Sequence, residues 1–336
     1  MVEVAAMDAD FAENDRLFHY TNSAGLYGIL TCGCLWATHY RFLNDSSELF
    51  SVREALITRV AREIHRRAAA LKVNREVTFV EGVNLQDVSV QEATVIVDAM
   101  YSTTIGDVES RVTPLGHPYV FSSFCCAASE AEDFGNGVLV HWGTYGRGGG
   151  YAVQFNPHKI KGLLAREQTT FTRLVSLSRK VTYLTEAPNA DLSRWIDKIA
   201  DVGRKIVEAE LRGKDVRDVD VSGSLEPFIN AITCSKNSFF APEREARIVI
   251  VQPDVPSPDH KDHEIHMRHS AGMSIPFIKI FADTLLGEHC PIERILVGPH
   301  PDNSRRVIAL KTFLKGKGLD HIQVDVSKVP YITQLA

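Results

Sequence analysis

The sequence predicts an α+β fold, and two observations support this class. Short apolar segments with strand character lie in the first and last thirds of the chain, at 16–21, 35–40 and 246–252. Two long amphipathic helices are indicated at about 47–71 and 192–211, because apolar residues recur there every three or four positions. Strands and long helices in separate stretches of one chain are typical of an α+β domain.

The N-terminal elements have clear boundaries. A strand at 16–21 is followed by Asn22 and Ser23, either of which can cap a helix that runs through Leu30 and ends at Gly33. The segment 35–40 (LWATHY) predicts a second strand. Asn44, Asp45 and Ser46 then form a cluster of N-cap residues before the first long helix, which we expect at about 47–71.

The middle of the chain contains a glycine-rich run, 143–150 (GTYGRGGG). Successive small residues can expose backbone N–H groups to a phosphate. The run lacks the G-x-x-x-x-G-K-[ST] spacing, and a helix at 138–145 precedes it while a strand at 151–155 follows. A tight helix-to-strand connection is therefore favoured over a phosphate loop. Upstream, a helix is expected near 90–101 and one strand at 119–126.

The last third is rich in strands. The segments 246–252 and 294–297 are apolar enough to be buried, and a helix at 304–314 precedes a final strand at 322–326. Histidines recur every third position from 260 to 269. A strict step of three drifts around a helix axis, so a solvated edge strand or loop is favoured there over a metal site.

Composition excludes several classes of protein. The 336 residues are 44% hydrophobic and 24% charged, which is ordinary for a globular protein and unlike a disordered or collagen-like chain. The net charge of −5 gives no global basic field for nucleic-acid binding, although a local basic groove is compatible with it. One such candidate is the cluster Arg59, Arg62, Arg66 and Arg67, whose default interpretation is a solvated helix face.

Compartment is indicated by the cysteines and the N-terminus. The six cysteines include no C-x-x-C pair, so we expect reduced thiols. The first fifteen residues carry acids and no Lys or Arg, the reverse of a signal peptide, and no apolar run approaches the roughly 20 residues that span a bilayer. A cytoplasmic protein without membrane contact is expected.

Two carboxylates, Glu243 and Glu245, precede the strand at 246–252. At this i, i+2 spacing both would point to the same face, where they could stabilise positive charge on a sugar ring and activate a nucleophile. Alternatively, both face solvent in a turn with Arg244 and Arg247 as partners, and spacing alone favours this second interpretation.

An ordered set of motifs resembles a known family. These are H-Y-T at 19–21, G-x-L-W at 33–36, F-x-N-D-x-x-E at 42–48, H-W-G-T-Y-G at 141–146, G-Y-A-V-Q-F at 150–155, E-x-E-A-R-I at 243–248 and I-L-V-G-P at 295–299. Together they resemble the bacterial domain-of-unknown-function 2971 family over almost the whole chain. More distantly, they are similar to the ADP-ribosyltransferase superfamily, especially its His-Tyr-Glu type and the toxins that modify DNA or RNA.

The resemblance implies roles for individual residues. His19 would bind a ribose hydroxyl of NAD, and Glu245, with Glu243 as the first acid of the pair, would hold the 2′-hydroxyl of the nicotinamide ribose. Trp36 stands where related enzymes stack an aromatic ring on nicotinamide, with Tyr40 and Tyr145 as substitutes. The remaining residues that would line the NAD pocket are Tyr20, Thr21, Asn44, Asp45 and Ser122. For Asn44 and Asp45, capping of the following helix is favoured over contact with the ligand.

The resemblance further implies a split β-core in one domain spanning 1–336, with helical insertions at about 47–115 and 160–240. The implied activity is transfer of ADP-ribose from NAD, without a metal, to a nucleic acid or protein. Such an enzyme would be a glycosyltransferase and a toxin or antiviral defence effector, with an antitoxin or regulatory partner. The alternatives are a non-catalytic sensor that binds NAD or ADP-ribose, and an interaction module without a ligand.

Overall fold

The fold is α+β, as the sequence predicts. The computed structural model describes residues 11–43, 50–73, 84–105, 116–123, 125–128, 135–146, 149–173, 175–184, 190–215, 218–220, 222–253, 258–270 and 272–330. Within these ranges the strands and helices fall into two larger sheets, one two-stranded ladder and a group of long helices.

The strands are β1 (Asp15–Thr21), β2 (Leu35–His39), β3 (Gly116–Ser123), β4 (Cys125–Ala128), β5 (Tyr151–Phe155), β6 (Val175–Lys180), β7 (Thr182–Leu184), β8 (Ser235–Asn237), β9 (Ala246–Pro253), β10 (Ile265–Ser270), β11 (Met273–Ile280), β12 (Ile292–Val297) and β13 (Gln323–Val326). The helices are α1 (Ser23–Cys32), α2 (Arg53–Val73), α3 (Leu85–Ile105), α4 (Leu139–Thr144), α5 (Pro157–Glu167), α6 (Ala190–Leu211), α7 (Ser222–Thr233) and α8 (Asn303–Gly316).

The chain alternates between the two larger sheets. The five-stranded sheet has the order β13-β12-β5-β1-β4, and the six-stranded sheet has the order β10-β11-β2-β3-β9-β6. β1 and β2 are separated by a single helix, yet they belong to different sheets. β3 and β4 likewise lie in different sheets, one residue apart, so the chain crosses from one sheet to the other there.

This crossing corrects the prediction of one strand at 119–126. The apolar pattern is continuous through the segment, so it cannot reveal that the first part pairs with β9 and the second with β1. Ser123 pairs with Ala246, whereas Cys125 pairs with Phe18. The hydrogen-bond partners therefore change within two residues.

The first helix has the predicted boundaries. The Asn22 side chain accepts a hydrogen bond from the Gly25 N–H at 2.9 Å, which satisfies one of the free donors of the first turn. Gly33 ends the helix in the left-handed conformation (φ 60°), and its N–H donates to the Ile29 carbonyl. This turn brings the Cα atoms of Cys32 and Cys34 to 5.3 Å, and the two cysteines form a disulfide. The expectation of reduced thiols is therefore wrong for this C-x-C pair, while Cys234 and Cys290 are buried and form no disulfide with any residue that the structure describes.

Two apolar cores lie on opposite faces of β9. Ala246, Ile248 and Ile250 belong to a core that also contains residues of the five-stranded sheet and of α1, α5 and α8, here termed the sheet core. Val249 and Val251 belong to a second core, built with α2, α3, α6 and α7 and here termed the helical core. The face of the six-stranded sheet that bears Val249 is here termed the outer face.

The glycine-rich run is a connection between α4 and β5. The Trp142 ring is nearly fully buried, and a Cβ on Gly146 would lie 2.9 Å from its Cε3. A Cβ on Gly298, on the neighbouring strand end, would lie 2.7 Å from Cζ3 of the same ring. Real Cβ atoms do not approach this closely, so glycine is required by packing. Residues 147 and 148 of the run lie outside the described residues.

In the described ranges, no helix is both long enough and apolar enough to cross a bilayer.

Candidate functional site

The candidate site lies on the outer face of the six-stranded sheet. Leu35 and Ala37 of β2 belong to the sheet core, so Trp36 between them points to the outer face. On β9, Ala246 belongs to the sheet core, and Arg247 therefore points to the outer face as well. Glu245, which contacts Arg247, is on the same side.

Strand register brings these residues into one row. β2 pairs with β3 through Thr38 and Val120, and continuing that ladder by two residues sets Trp36 beside Ser122. Ser122 pairs directly with Arg247 on β9. With strands about 4.8 Å apart, the Cα atoms of Trp36 and Arg247 are about 10 Å apart. Residues from the beginning and the end of the chain thus share one patch of the outer face. For Ser122 only the backbone is described.

Glu245 is the most enclosed acid of the site. Its side chain is 1% exposed, and its Oε1 accepts a hydrogen bond from Arg247 Nε at 2.7 Å. Its Oε2 accepts from Arg247 Nη2 at 3.1 Å and from Lys236 Nζ at 3.2 Å. This two-point contact with a guanidinium fixes the plane of the carboxylate.

Glu243 reaches the same ammonium group. Lys236 Nζ donates to Glu243 Oε2 at 2.8 Å, and the Glu243 side chain is 15% exposed. Between the two acids, Arg244 adopts the left-handed conformation (φ 45°, ψ 47°) at the end of the 3-10 helix 238–243. This reversal lets both carboxylates approach Lys236, although β9 itself begins only at Ala246. The two acids therefore share one environment. The interpretation of solvent-facing acids is wrong for the buried Glu245, whereas the partner it expected, Arg247, is confirmed.

Tyr183 and Phe240 complete this cluster. The Tyr183 hydroxyl accepts a hydrogen bond from the Glu245 N–H at 2.7 Å. Burial, together with the negative charges of Glu245 and Glu243, raises the pKa of Tyr183 to about 12, so the phenol is protonated at neutral pH. The Phe240 ring covers Lys236, with Nζ 4.4 Å from the ring centroid, which is a cation–π contact.

The aromatic residues predicted to line the NAD pocket differ in accessibility. Trp36 is 40% exposed and stacks on Phe277 with a centroid distance of 4.7 Å. Tyr40 is buried in the helical core, where its hydroxyl accepts a hydrogen bond from Arg41 Nε. Tyr145 packs beside His141 next to α4. Of these three predicted rings, Trp36 is the one placed in the row with Arg247.

Tyr20 is a packing residue. Its ring lies 4.8 Å from the rings of His141 and Trp142, and its hydroxyl accepts a hydrogen bond from the Val138 N–H. With 2% of its surface exposed, it is enclosed by α4. Because the buried hydroxyl has this hydrogen-bond partner, a tyrosine rather than a phenylalanine suits the position.

His19 and Thr21 lie at the end of β1. His19 is half-buried, and the preceding residue, Phe18, pairs with Cys125 just after the crossing between the sheets. Ser123, just before the crossing, pairs with Ala246, so the Cα atoms of Phe18 and Ala246 are at most about 19 Å apart. Alternation along β1 places the His19 side chain on the side of Leu17. The His19 side chain therefore lies on the sheet-core side of its strand, whereas Trp36 points to the outer face.

The predicted ligand contacts Asn44 and Asp45 lie outside the described residues.

Three of the four arginines of the α2 cluster, namely Arg59, Arg66 and Arg67, pair with carboxylates. Arg59 pairs with Asp197 at 2.8 Å and Arg67 with Glu208 at 2.8 Å, both on α6. Arg66 pairs with Glu63 on its own helix. These pairs join α2 to α6 and support the interpretation of a structural surface over that of a nucleic-acid groove.

The histidine repeat is divided between the interior and an edge strand. His266 and His269 lie on β10, the edge strand of its sheet, as predicted. His263 is buried instead, and its ring stacks on Phe171 at a centroid distance of 4.0 Å. Among the described residues there is no group of three or more His, Cys, Asp or Glu side chains arranged to hold a metal ion.

Sequence reasoning missed Lys236 and Tyr183. Both precede the acids and lie on the two-stranded ladder of β7 and β8, in which Tyr183 pairs with Lys236. These strands are only three residues long and have no periodic pattern. The sequence signal for Lys236 was a single lysine seven residues before Glu243. This signal is too weak to identify the lysine as a site residue.

Comparison with known proteins gives no relative: the chain matches no family model, and neither a curated protein nor a solved structure is significantly similar to it.

Proposed function

We propose that this protein is an NAD-dependent ADP-ribosyltransferase of the family that its motifs resemble, acting in the cytoplasm as a toxin or antiviral defence effector. The observation that carries this proposal is the row on the outer face, where an exposed tryptophan, a serine position and Arg247, which binds the carboxylate of Glu245, lie on adjacent strands. NAD is the co-substrate, a nucleic acid or protein is the acceptor, and no metal is required.

The residues of the row suit the nicotinamide ribose end of NAD. Trp36 is 40% exposed and offers a ring for the leaving base. Arg247, which holds Glu245, lies across the sheet with its Cα atom about 10 Å from that of Trp36. Glu243 is the acid nearer to solvent, and Glu245 is held in a fixed orientation by Arg247.

Transfer of ADP-ribose can be described with these residues and the acceptor. The bond between C1′ of the ribose and the nicotinamide nitrogen breaks, and nicotinamide leaves with the bonding electrons as a neutral base. A nucleophile on the acceptor then bonds to C1′ and releases a proton. Positive charge develops on the ribose ring during cleavage, and a preorganised carboxylate stabilises it. In this scheme Glu245 holds the ribose, Glu243 accepts the proton, and Trp36 orients the leaving base.

A second candidate, a non-catalytic sensor of NAD or ADP-ribose, is favoured by one observation. Glu245 is 1% exposed and already paired with two cations, so a substrate must displace Lys236 to reach it. A sensor would use the outer face for binding and leave the ion cluster intact.

The test is nicotinamide release from NAD, measured chromatographically with and without added nucleic acid or protein extract. Glu245→Gln is expected to lower the turnover rate by about 100-fold or more, because it removes the charge opposite the developing cation. Trp36→Ala is expected to raise KM for NAD by about tenfold through loss of stacking. Matched controls are Glu54→Gln, whose carboxylate is 83% exposed, and Phe50→Ala, whose ring is 49% exposed.

The possible outcomes separate the candidates. Nicotinamide release that persists in a folded Glu245→Gln variant would overturn the catalytic assignment. If the wild-type protein released no nicotinamide but bound NAD by calorimetry in a Trp36-dependent way, the sensor would replace the enzyme. Thermal melting of each variant shows whether a loss of activity is a loss of fold.

A further inference from the structure

We propose that the outer face of the β10–β11 hairpin holds the phosphate backbone of a nucleic-acid acceptor through Lys279 and Arg268. This inference rests on the proposed function, since it names the acceptor of the same site. It concerns the part of the outer face that lies on the far side of Trp36 from Glu245.

Both cations are on the outer face. Lys279 of β11 pairs directly with Trp36 of β2, and paired residues share a face. Arg268 follows His266 by two residues on β10, and the His266 ring lies 5.5 Å from Phe277, which stacks on Trp36. Lys279, Arg268, Trp36 and His266 therefore share one face, on which Phe277 between them is buried.

The charges of this surface are available to a ligand. Lys279 and Arg268 are half-buried, and neither has an ion pair with any residue that the structure describes. This distinguishes them from Arg59, Arg66 and Arg67 of α2, which are paired with carboxylates. The nearby acid is Glu264, which is 82% exposed and 3.8 Å from His266 Nε2. The surface is thus locally positive on a chain with a net charge of −5.

The positions of the two cations suit a polyanion. β10 pairs with β11 in an unbroken register from Ile265–Ile278 to Ser270–Met273, which fixes both residues on one face of the hairpin. From that register, the Cα atoms of Lys279 and Arg268 are about 14 Å apart. Their long, flexible side chains can reach two phosphates of one strand. The exposed Trp36 ring, beside Lys279, marks the end of the surface where the ribose of NAD would be attacked.

The test is binding of fluorescein-labelled single-stranded DNA and RNA 20-mers to the full chain, by anisotropy at several salt concentrations. Each phosphate contact contributes about 0.7 to the slope of log K against log salt for a single strand. Lys279→Ala/Arg268→Ala is therefore expected to reduce the slope by about 1.4 and to weaken binding at least tenfold at low salt. The control, Lys311→Ala/Lys315→Ala on the exposed side of α8, changes the net charge equally and should leave both quantities unchanged.

The outcomes distinguish this inference from the proposed function. Loss of oligonucleotide binding in the hairpin variant, with unchanged nicotinamide release in the absence of acceptor, supports the surface as the acceptor site. An equal loss in the hairpin and α8 variants would overturn it, because binding would then depend only on net charge. If polyglutamate bound as tightly as the oligonucleotides, and Lys279→Ala/Arg268→Ala removed this binding, the acceptor would be an acidic protein instead. An increased KM for NAD in the hairpin variant, with normal oligonucleotide binding, would reassign Lys279 and Arg268 to the pyrophosphate of NAD.

Discussion

Lys236 links the two acids of the candidate site. Its ammonium group lies 2.8 Å from Glu243 and 3.2 Å from Glu245, and its side chain is 8% exposed. Charges removed from water in this way are costly unless every one of them has a partner. Removing a single member therefore leaves an uncompensated charge in the interior, whereas removing a pair together does not.

Lys236→Met is expected to lower the free energy of unfolding by about 2–3 kcal/mol, because Glu243 and Glu245 would then face each other without the bridging cation. Glu243→Gln should restore part of this loss, so the double variant is expected to be more stable than the sum of the two single effects. Urea denaturation of the four proteins measures the coupling. Strictly additive effects would show that Lys236 does not bridge the acids in solution.

His263 is a buried neutral imidazole. Arg173, whose side chain is fully buried, approaches its Nε2 at 3.1 Å and forms an ion pair with Glu167. Burial, reinforced by the charge of Arg173, lowers the pKa of His263 from its ordinary 6.5 to about 4. A bond to the Lys279 backbone opposes this shift but does not cancel it. Between these two pH values the unfolded chain binds a proton at this position and the folded chain does not.

The stability that His263 contributes is accordingly complete above about pH 6.5 and is lost as the pH falls towards 4, with a total of up to about 3 kcal/mol. The pKa of the neighbouring Glu167 is raised by burial, which acts in the opposite direction. Comparison with a variant is therefore needed to isolate the histidine. His263→Phe, which keeps a ring against Phe171, should flatten the decline in unfolding free energy between pH 6.5 and 4. His266→Phe on the edge strand is the control, and an unchanged slope in His263→Phe would contradict this interpretation.

At the scale of elements, local patterns predict several of the single pieces but miss α5, α7, β6 and β11, and they predict the pairing of strands poorly. The boundaries of α1 follow from Asn22 and Gly33, because a cap is a contact within a few residues. The aromatic at Trp36 and the acids at Glu243 and Glu245 can also be identified from sequence. Their common environment cannot, because it depends on Lys236 from a strand of three residues and on the crossing between β3 and β4. Such pairings are set by the whole chain.

The glycine-rich connection gives a sharp test of local packing. A Cβ on Gly150 would lie 2.5 Å from the Gly146 Cα and still closer to the Thr21 carbonyl oxygen, whereas a Cβ on Gly143, in α4, would have no atom within 4 Å. Gly150→Ala is therefore expected to destabilise the protein by about 1–3 kcal/mol, since backbone must move. Gly143→Ala should be neutral or stabilise by up to about 1 kcal/mol, because alanine favours a helix. Equal effects in urea denaturation would argue against packing as the reason for the glycines.

At the scale of the whole molecule, β9 is the strand that the sheet core and the helical core share. Its alternate side chains belong to different cores, so neither the sheet core nor the helical core is complete without this strand. Arg247 and the preceding Glu245 place the candidate site at the start of the same strand. Loss of either core would therefore disturb the site, although the long helices contribute none of the acids.

This sharing of one strand predicts that the chain unfolds in a single cooperative transition, although chains much longer than about 150 residues commonly do not. The tryptophans provide separate reporters, because Trp195 is buried in the helical core and Trp142 is buried against Phe18 and Tyr20 of the five-stranded sheet. Trp36→Phe/Trp142→Phe leaves only Trp195, and Trp36→Phe/Trp195→Phe leaves only Trp142. Within each variant, the midpoint of tryptophan fluorescence in urea should coincide with that of far-ultraviolet circular dichroism, which reports mainly the helices. Comparison within one variant removes the effect of the substitutions on stability. A Trp142 midpoint displaced from the circular dichroism midpoint would show that the five-stranded sheet unfolds independently of the helical core, and the single cooperative transition would be excluded.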